Sequence, residues 1–356
     1  MNRELDFRFR VLRGGAIFGE LHSFPTANAP VIRMNDSYMI KTSLTGTFLP
    51  SVTDVDGRVI EADWLTDEIQ PVMVIDGVEH ALGVYAPATV TPSRAQGAES
   101  LRIEAYDRCW RVRDNYTTSR EYISAGTAYL TRIKTILQNS GIQLVMATPS
   151  AATLAEDRAD WDPGTSCLTI VNELLAEINY NPLWFDANGY AVLSPAQTPT
   201  VDNIKHTLDG DDVASLIIPQ ISRESDYFSA PNVFTCICSN PEKDGPMVKT
   251  AENNNPQSPL SIMRRGRRIV RVVQVNNIAD EDALQAYADK LRNDSLIGGE
   301  TIRIQTGLLP GFGVADVVAL HYDDISALCV ERAWSMELRV GGAMSHTLEK
   351  VVYNLG

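Results

Sequence analysis

Apolar and polar residues alternate along much of this 356-residue chain, and short turn signals interrupt them; no other feature restricts the fold as strongly. Leu5, Phe7, Phe9 and Val11 alternate with Asp6, Arg8 and Arg10, the period of a strand with one buried face. Gly14-Gly15 breaks that run. Asp54-Val55-Asp56-Gly57 reads as a hairpin turn between Val52 and Val59-Ile60, and Asp76-Gly77 as the turn of a hairpin from Val72 to His80. Tyr38 to Phe48 is rich in β-formers, and Ser100 to Ala105 alternates again before Tyr106-Asp107-Arg108-Cys109-Trp110. Many short strands with regular turns predict a barrel or sandwich here.

The middle of the chain changes period. Thr127 to Asn139 puts Tyr129, Ile133, Ile136 and Leu137 on one helical face, with Gly141 as the terminating residue. A second helix is expected near Thr165 or Ser166, either of which can cap it, with Leu168, Val171, Leu174, Leu175 and Ile178 as its apolar stripe. A hairpin from Leu183 to Leu193 follows, with Asn188-Gly189 as its turn. The last third returns to strands: Ser225 to Ser239, Ile269 to Val275, Thr301 to Gln305, Val314 to His321, Cys329 to Val340 and Leu348 to Tyr353. One helix, capped by Asp280, interrupts them, with Leu284, Tyr287, Ala288 and Leu291 on its buried face. The fold class is therefore α+β, mainly β, arranged as β, then α/β, then β.

Composition removes several function classes. No apolar stretch approaches the roughly 20 residues of a membrane helix, and charges occupy the place of a signal peptide's apolar run, so a protein kept in a cytoplasm or leaving it within an assembly is expected. The five cysteines are odd in number and form no CxxC pair, which argues against a disulfide framework or zinc ribbon. Cys236 and Cys238, two apart, fit the buried side of a strand. The net charge of −14 opposes broad binding to a phosphate backbone; it suits a wall past which DNA slides, and equally plain solubility.

No catalytic, cofactor or metal site stands out. The histidines show no metal spacing, His22 beside Ser23 faces the wrong way on an extended chain, and GxSxG, HExxH and Walker patterns are absent. Asp209-Gly210-Asp211-Asp212 and Asp323-Asp324 lack the ligand ladder of a calcium loop and read as turns. Pro310-Gly311-Phe312-Gly313 lacks the third glycine of a dinucleotide fingerprint. Arg264-Arg265-Gly266-Arg267-Arg268 is the one dense basic run: either an interface built on Arg264, Arg265, Arg267 and Arg268, or a solvated loop before the strand at Ile269.

Four stretches carry a resemblance: Trp64 to Pro71 followed by a hairpin and Leu82-Gly83-Val84-Tyr85; Ile103 to Arg108, then Ala125-Gly126-Thr127; Trp161-Asp162-Pro163-Gly164-Thr165-Ser166; and Ala286 to Leu291 followed by Leu309-Pro310-Gly311 and Ala315 to Val318. In their order these resemble the hub proteins of phage baseplates and siphophage tail tips, late-control proteins of contractile phages, and the N-terminal part of type VI secretion spikes. The resemblance implies two tube-type β-barrel domains, residues 1–106 and 200–356, flanking an α/β insertion at 107–199. It also implies a homotrimeric, pseudo-sixfold ring that joins a hexameric tail tube or distal tail protein to a trimeric spike, tip or fibre protein. A tape-measure protein is a further partner, and DNA or cargo passes through an acidic lumen without membrane insertion. The location implied is the virion, with assembly in the host cytoplasm. No enzyme is expected, since the family's enzymatic C-terminal extensions have no counterpart before Gly356. Two alternatives are a peptidoglycan hydrolase with carboxylates on barrel loops, and a carbohydrate-binding module using Trp64 or Trp184, although both tryptophans fit a role capping the core.

Overall fold

The computed structural model describes residues 3–23, 29–95, 98–225, 230–238, 246–275 and 281–351. The protein is mostly strand and divides into two compact units. One comprises Met1–Ala196, Thr306–Val314 and Ala333–Ser345; the other comprises Gln197–Gln305, Ala315–Arg332 and His346–Gly356.

In the first unit the alternating runs become β1 (Leu5–Arg13), β2 (Ala16–Ser23), β3 (Val31–Asn35), β4 (Thr42–Thr53), β5 (Val59–Ile60), β6 (Glu68–Ile75), β7 (Val78–Ala81), β8 (Tyr85–Ala95) and β9 (Ala98–Asp107). β1 lies between β2 and β6, β8 lies between β6 and β9, and β4 pairs with both β2 and β9. Those six strands close on themselves as an antiparallel barrel, which removes their edges. β3 pairs with β4 outside this ring, and the segment Ala333–Glu337 pairs antiparallel with β3. Phe9, Leu21, Leu44, Phe48, Ile69, Met73, Tyr85 and Ile103 are fully buried, with Phe9 edge-on to Phe48 at a 5.2 Å centroid distance.

The turns follow their side chains. Asp76 (φ 49°) and Gly77 (φ 82°) make a two-residue turn between Ile75 and Val78, as expected for Asp-Gly. Asp54 instead closes a longer loop: its Oδ1 accepts from Asp56 N and Arg58 N, and Gly57 (φ 77°) provides the left-handed residue.

The rest of this unit holds α1 (Cys109–Asp114), β10 (Glu121–Ile123), α2 (Tyr129–Asn139), β11 (Val145–Ala147), β12 (Arg158–Trp161), α3 (Cys167–Glu177), β13 (Trp184–Phe185) and β14 (Ala191–Leu193). α2 buries Leu130, Ile133, Ile136 and Leu137; α3 buries Leu168, Val171, Leu174 and Leu175. The expected cap position is right, since Ser166 is the residue before α3, but its hydroxyl donates to Arg113 O at 2.7 Å rather than capping the helix. The hairpin at 184–193 also differs from the Asn188-Gly189 reading. Asp186 Oδ1 accepts from Asn188 N and Tyr190 N, so the loop is the same Asp-x-x-Gly closure seen at Asp54. α1 was not anticipated: Asp107 Oδ1 accepts from Cys109 N at 2.8 Å, and a short helix begins just where the alternating run ends.

The second unit contains β15 (Ile204–Asp209), β16 (Ile217–Glu224), β17 (Val233–Cys238), β18 (Met247–Glu252), α4 (Ile262–Arg265), β19 (Val270–Val275), α5 (Glu281–Leu296), β20 (Ile297–Thr306), β21 (Val317–Tyr322), β22 (Ile325–Glu337) and β23 (Met344–Val351). One sheet runs β16-β20-β23-β22, continued by β21 and then by β15 in parallel with it. A second sheet has the order β18-β17-β19, with β19 parallel to β17. α5 covers one face of it: Leu284 and Ala288 pack on Cys236, Cys238 and Ala251. Asp280 and Tyr353 lie outside the described residues, as does part of the strand expected from Ser225 to Ser239, of which Val233–Cys238 is strand.

Candidate interface site

The basic run sits on α4 and the segment leading into β19. Ser261 Oγ accepts from Arg264 N at 3.2 Å and caps the single helical turn, while Gly266 (φ 64°) ends it. Asn232, fully buried, holds the exit: its Nδ2 donates to Leu260 O (3.2 Å) and Arg267 O (3.0 Å), and its Oδ1 accepts from Ile269 N (2.7 Å). The four arginines then diverge. Arg265 Nη1 donates to Ala230 O at 2.6 Å, and Arg268 pairs with Glu252. Arg264 and Arg267 are exposed, and among the described residues neither guanidinium has a hydrogen-bond or ion-pair partner. Among the described residues this hydrogen-bonded segment thus presents two cations without a side-chain partner.

The acidic runs behave as turns. Asp209 Oδ1 accepts from Asp211 N, Asp212 caps a short turn through Ala214 N, and Asp323 (φ 54°) joins β21 to β22. Asp324 pairs with Arg223 at 3.3 Å. Among the described residues no group of three or more His, Cys, Asp or Glu is arranged to hold a metal ion. His22, on the exposed side of β2, contacts Thr53 Oγ1 at 2.9 Å, away from the partly buried Ser23. All five cysteines are buried and free. Burial pushes the Cys329 thiol up to about 12 and raises Cys109 and Cys236 as well.

Two buried carboxylates in the second unit escaped the sequence reading, because nothing local marks them. Asp316 accepts from Lys205 Nζ (2.6 Å) and His206 Nε2 (3.2 Å). Glu331, with no exposed side-chain surface, meets His346 Nδ1 at 2.7 Å and accepts from Thr347 N at 3.3 Å. Burial raises the Glu331 carboxyl above the usual carboxylate range. Both carboxylates are buried, and their partners tie neighbouring segments together.

The sequence matches no protein-family profile and no curated protein. Its three-dimensional structure is similar to several solved ones. The tail protein from Neisseria meningitidis MC58 superposes with a TM-score of 0.67 at 14% identity, over 96% of each chain. The fold is that of phage tail proteins. The 43 kDa tail protein of prophage MuSo2 from Shewanella oneidensis superposes at 0.64, with 10% identity, over 96% of this chain and 98% of that one. An Escherichia coli component of the type VI secretion system, itself described as similar to T4 bacteriophage tail proteins, superposes at 0.52 with 11% identity over 99% of this chain and 77% of its own. The expected likeness to tail and spike-like proteins thus holds for the fold, and it spans nearly the whole chain.

Proposed function

We propose that this protein is a structural component of a phage-tail-type particle: a distal hub in the virion, assembled in the host cytoplasm, with no catalytic role of its own. The observation that carries the reading is the likeness in fold to tail proteins along almost the entire chain, supported by the closed barrel of the first unit. Three copies form a ring. Each contributes two tube-type barrel domains, residues 1–106 and 200–356, with the α/β part at 107–199 between them, so a threefold object imitates a sixfold one. The ring joins a tail tube or distal tail protein to a spike, tip or fibre protein, with a tape-measure protein as a further partner. The charge of −14 supports a lumen that does not retain DNA in transit.

The decisive experiment is the solution mass of the purified chain, with imaging of the particles formed. A three-membered ring with a net acidic inner wall is expected. A closed dimer, a basic inner wall, or steady release of soluble fragments from peptidoglycan incubated with the protein overturns the reading.

A further inference from the structure

We propose that the outer edge of β19 is a strand-addition site for an extended, acidic protein segment, held in place by Arg264 and Arg267. Among the described residues, the sheet to which β19 belongs ends there. Ile269 O accepts from Val233 N and Asn232 N, so the backbone of Ile269 faces β17. Direction alternates along a strand, so the N–H and C=O groups of Val270, Val272 and Gln274 point away from β17. Among the described residues no strand pairs with that side of β19.

The side chains make the edge unusual. The strand reads Val-Arg-Val-Val-Gln-Val, strongly β-forming and with one charge. Val273 and Val275 pack toward α5, while Val270 is 54% exposed and Val272 58% exposed. Val248, on the same face through its register with Ile237, is also exposed. Soluble proteins blunt such edges with short strands, prolines, bulges or charges, because unpaired peptide groups beside apolar side chains recruit another strand. β19 has six residues, no proline and no bulge.

Charge selects the occupant. Arg264 and Arg267 lie directly upstream of the strand, exposed and without side-chain partners among the described residues, and Arg271 adds a third exposed cation. In a chain of net charge −14 this clustering favours an acidic segment. A phosphate backbone also satisfies cations, but only a strand satisfies the outward peptide groups while placing alternate apolar residues beside Val270 and Val272. The inference rests on the tail-component reading only in taking the partner to be another protein of the assembly.

The test uses the full chain and a fluorescein-labelled peptide of about ten residues alternating valine and glutamate, followed by fluorescence anisotropy. Saturable binding is expected, and a peptide with proline at alternate positions does not bind. Val272→Pro removes an outward N–H without touching the ladder to β17, and is expected to weaken binding at least tenfold, roughly one lost anchoring interaction. Arg264→Glu combined with Arg267→Glu is expected to weaken it about tenfold as well, and to flatten its salt dependence. If Val272→Pro fails to fold by circular dichroism, the arginine pair and the proline peptide decide. Absent binding, binding unchanged in the variants, tighter binding of a DNA oligonucleotide, or self-association through β19 that the peptide does not displace overturns the proposal. A three-copy ring without peptide binding removes this inference alone; a closed dimer that binds the peptide removes the hub reading alone.

Discussion

Arg108 and Glu68 form a two-bonded ion pair, Nε to Oε1 at 2.9 Å and Nη2 to Oε2 at 2.7 Å, with 11% and 5% of their side chains exposed. Glu68 opens β6 of the barrel, whereas Arg108 follows β9 and also donates through Nη1 to Gly189 O at 2.7 Å. One guanidinium therefore fastens the barrel to the loop between β13 and β14. Replacing Arg108 with alanine strands a buried carboxylate, with Arg111 still 3.4 Å away as partial compensation. The expected loss is about 3 kcal/mol, the low end for breaking a buried pair. Denaturant unfolding of Arg108→Ala against the parent measures it, and a loss under about 1 kcal/mol means that the pair behaves as a surface contact.

Gly189 is bound to the same arrangement. Its φ is 80°, and an added Cβ there would meet Arg108 Nη1 and Val84 at 2.9 Å. Gly77, with φ 82°, has open space around it. Gly77→Ala is expected to cost about 1 kcal/mol, the strain of a left-handed alanine, and Gly189→Ala distinctly more, because it adds a clash that displaces the ion pair. Equal thermal shifts for the two variants would contradict this.

Stability against acid should depend on Asp67. Two hydrogen bonds from Arg13, at 2.8 and 2.7 Å, hold its carboxyl below the usual carboxylate range. A depressed folded-state value means that the stabilisation is complete above the unfolded value of about 3.9 and is lost as pH falls through the folded one. The stability difference between the parent and Asp67→Asn is expected to be largest at neutral pH and to shrink on acidification below about pH 4. A difference independent of pH would show that packing, not charge, sets the contribution.

Phe48 tests the barrel. It is fully buried and packs edge-on against Phe9. Phe48→Ala is expected to cost about 3–5 kcal/mol, read as a shifted midpoint with an unchanged slope in denaturant.

The thiols give a test that needs no mutation. With five cysteines buried and the Cys329 thiol pushed up to about 12, a thiol reagent at neutral pH is expected to label none in the native protein and all five in guanidinium. Rapid labelling of Cys236 or Cys238 without denaturant would mean that α5 detaches from its sheet.

The sequence by itself determined what is local. A two-residue period marked β1, Asp76-Gly77 set the turn after β6 because only such residues accept two positive φ angles in succession, and the apolar stripes of α2 and α3 followed from a 3.6-residue period. Burial of Cys236 and Cys238 on one side of β17 was legible for the same reason. The arginine run was visible as composition, but which cations stay unpaired was not: that depends on Glu252 and Ala230, chain neighbours of neither Arg268 nor Arg265. Tertiary structure also decided that β4 pairs with β9 and so closes the barrel, that Ser166 spends its hydroxyl on Arg113, and that Glu331 meets His346. Backbone groups are chemically alike, so strand order carries no local signature. It is chosen by which faces bury together across long stretches of chain, and only the folded molecule records that choice.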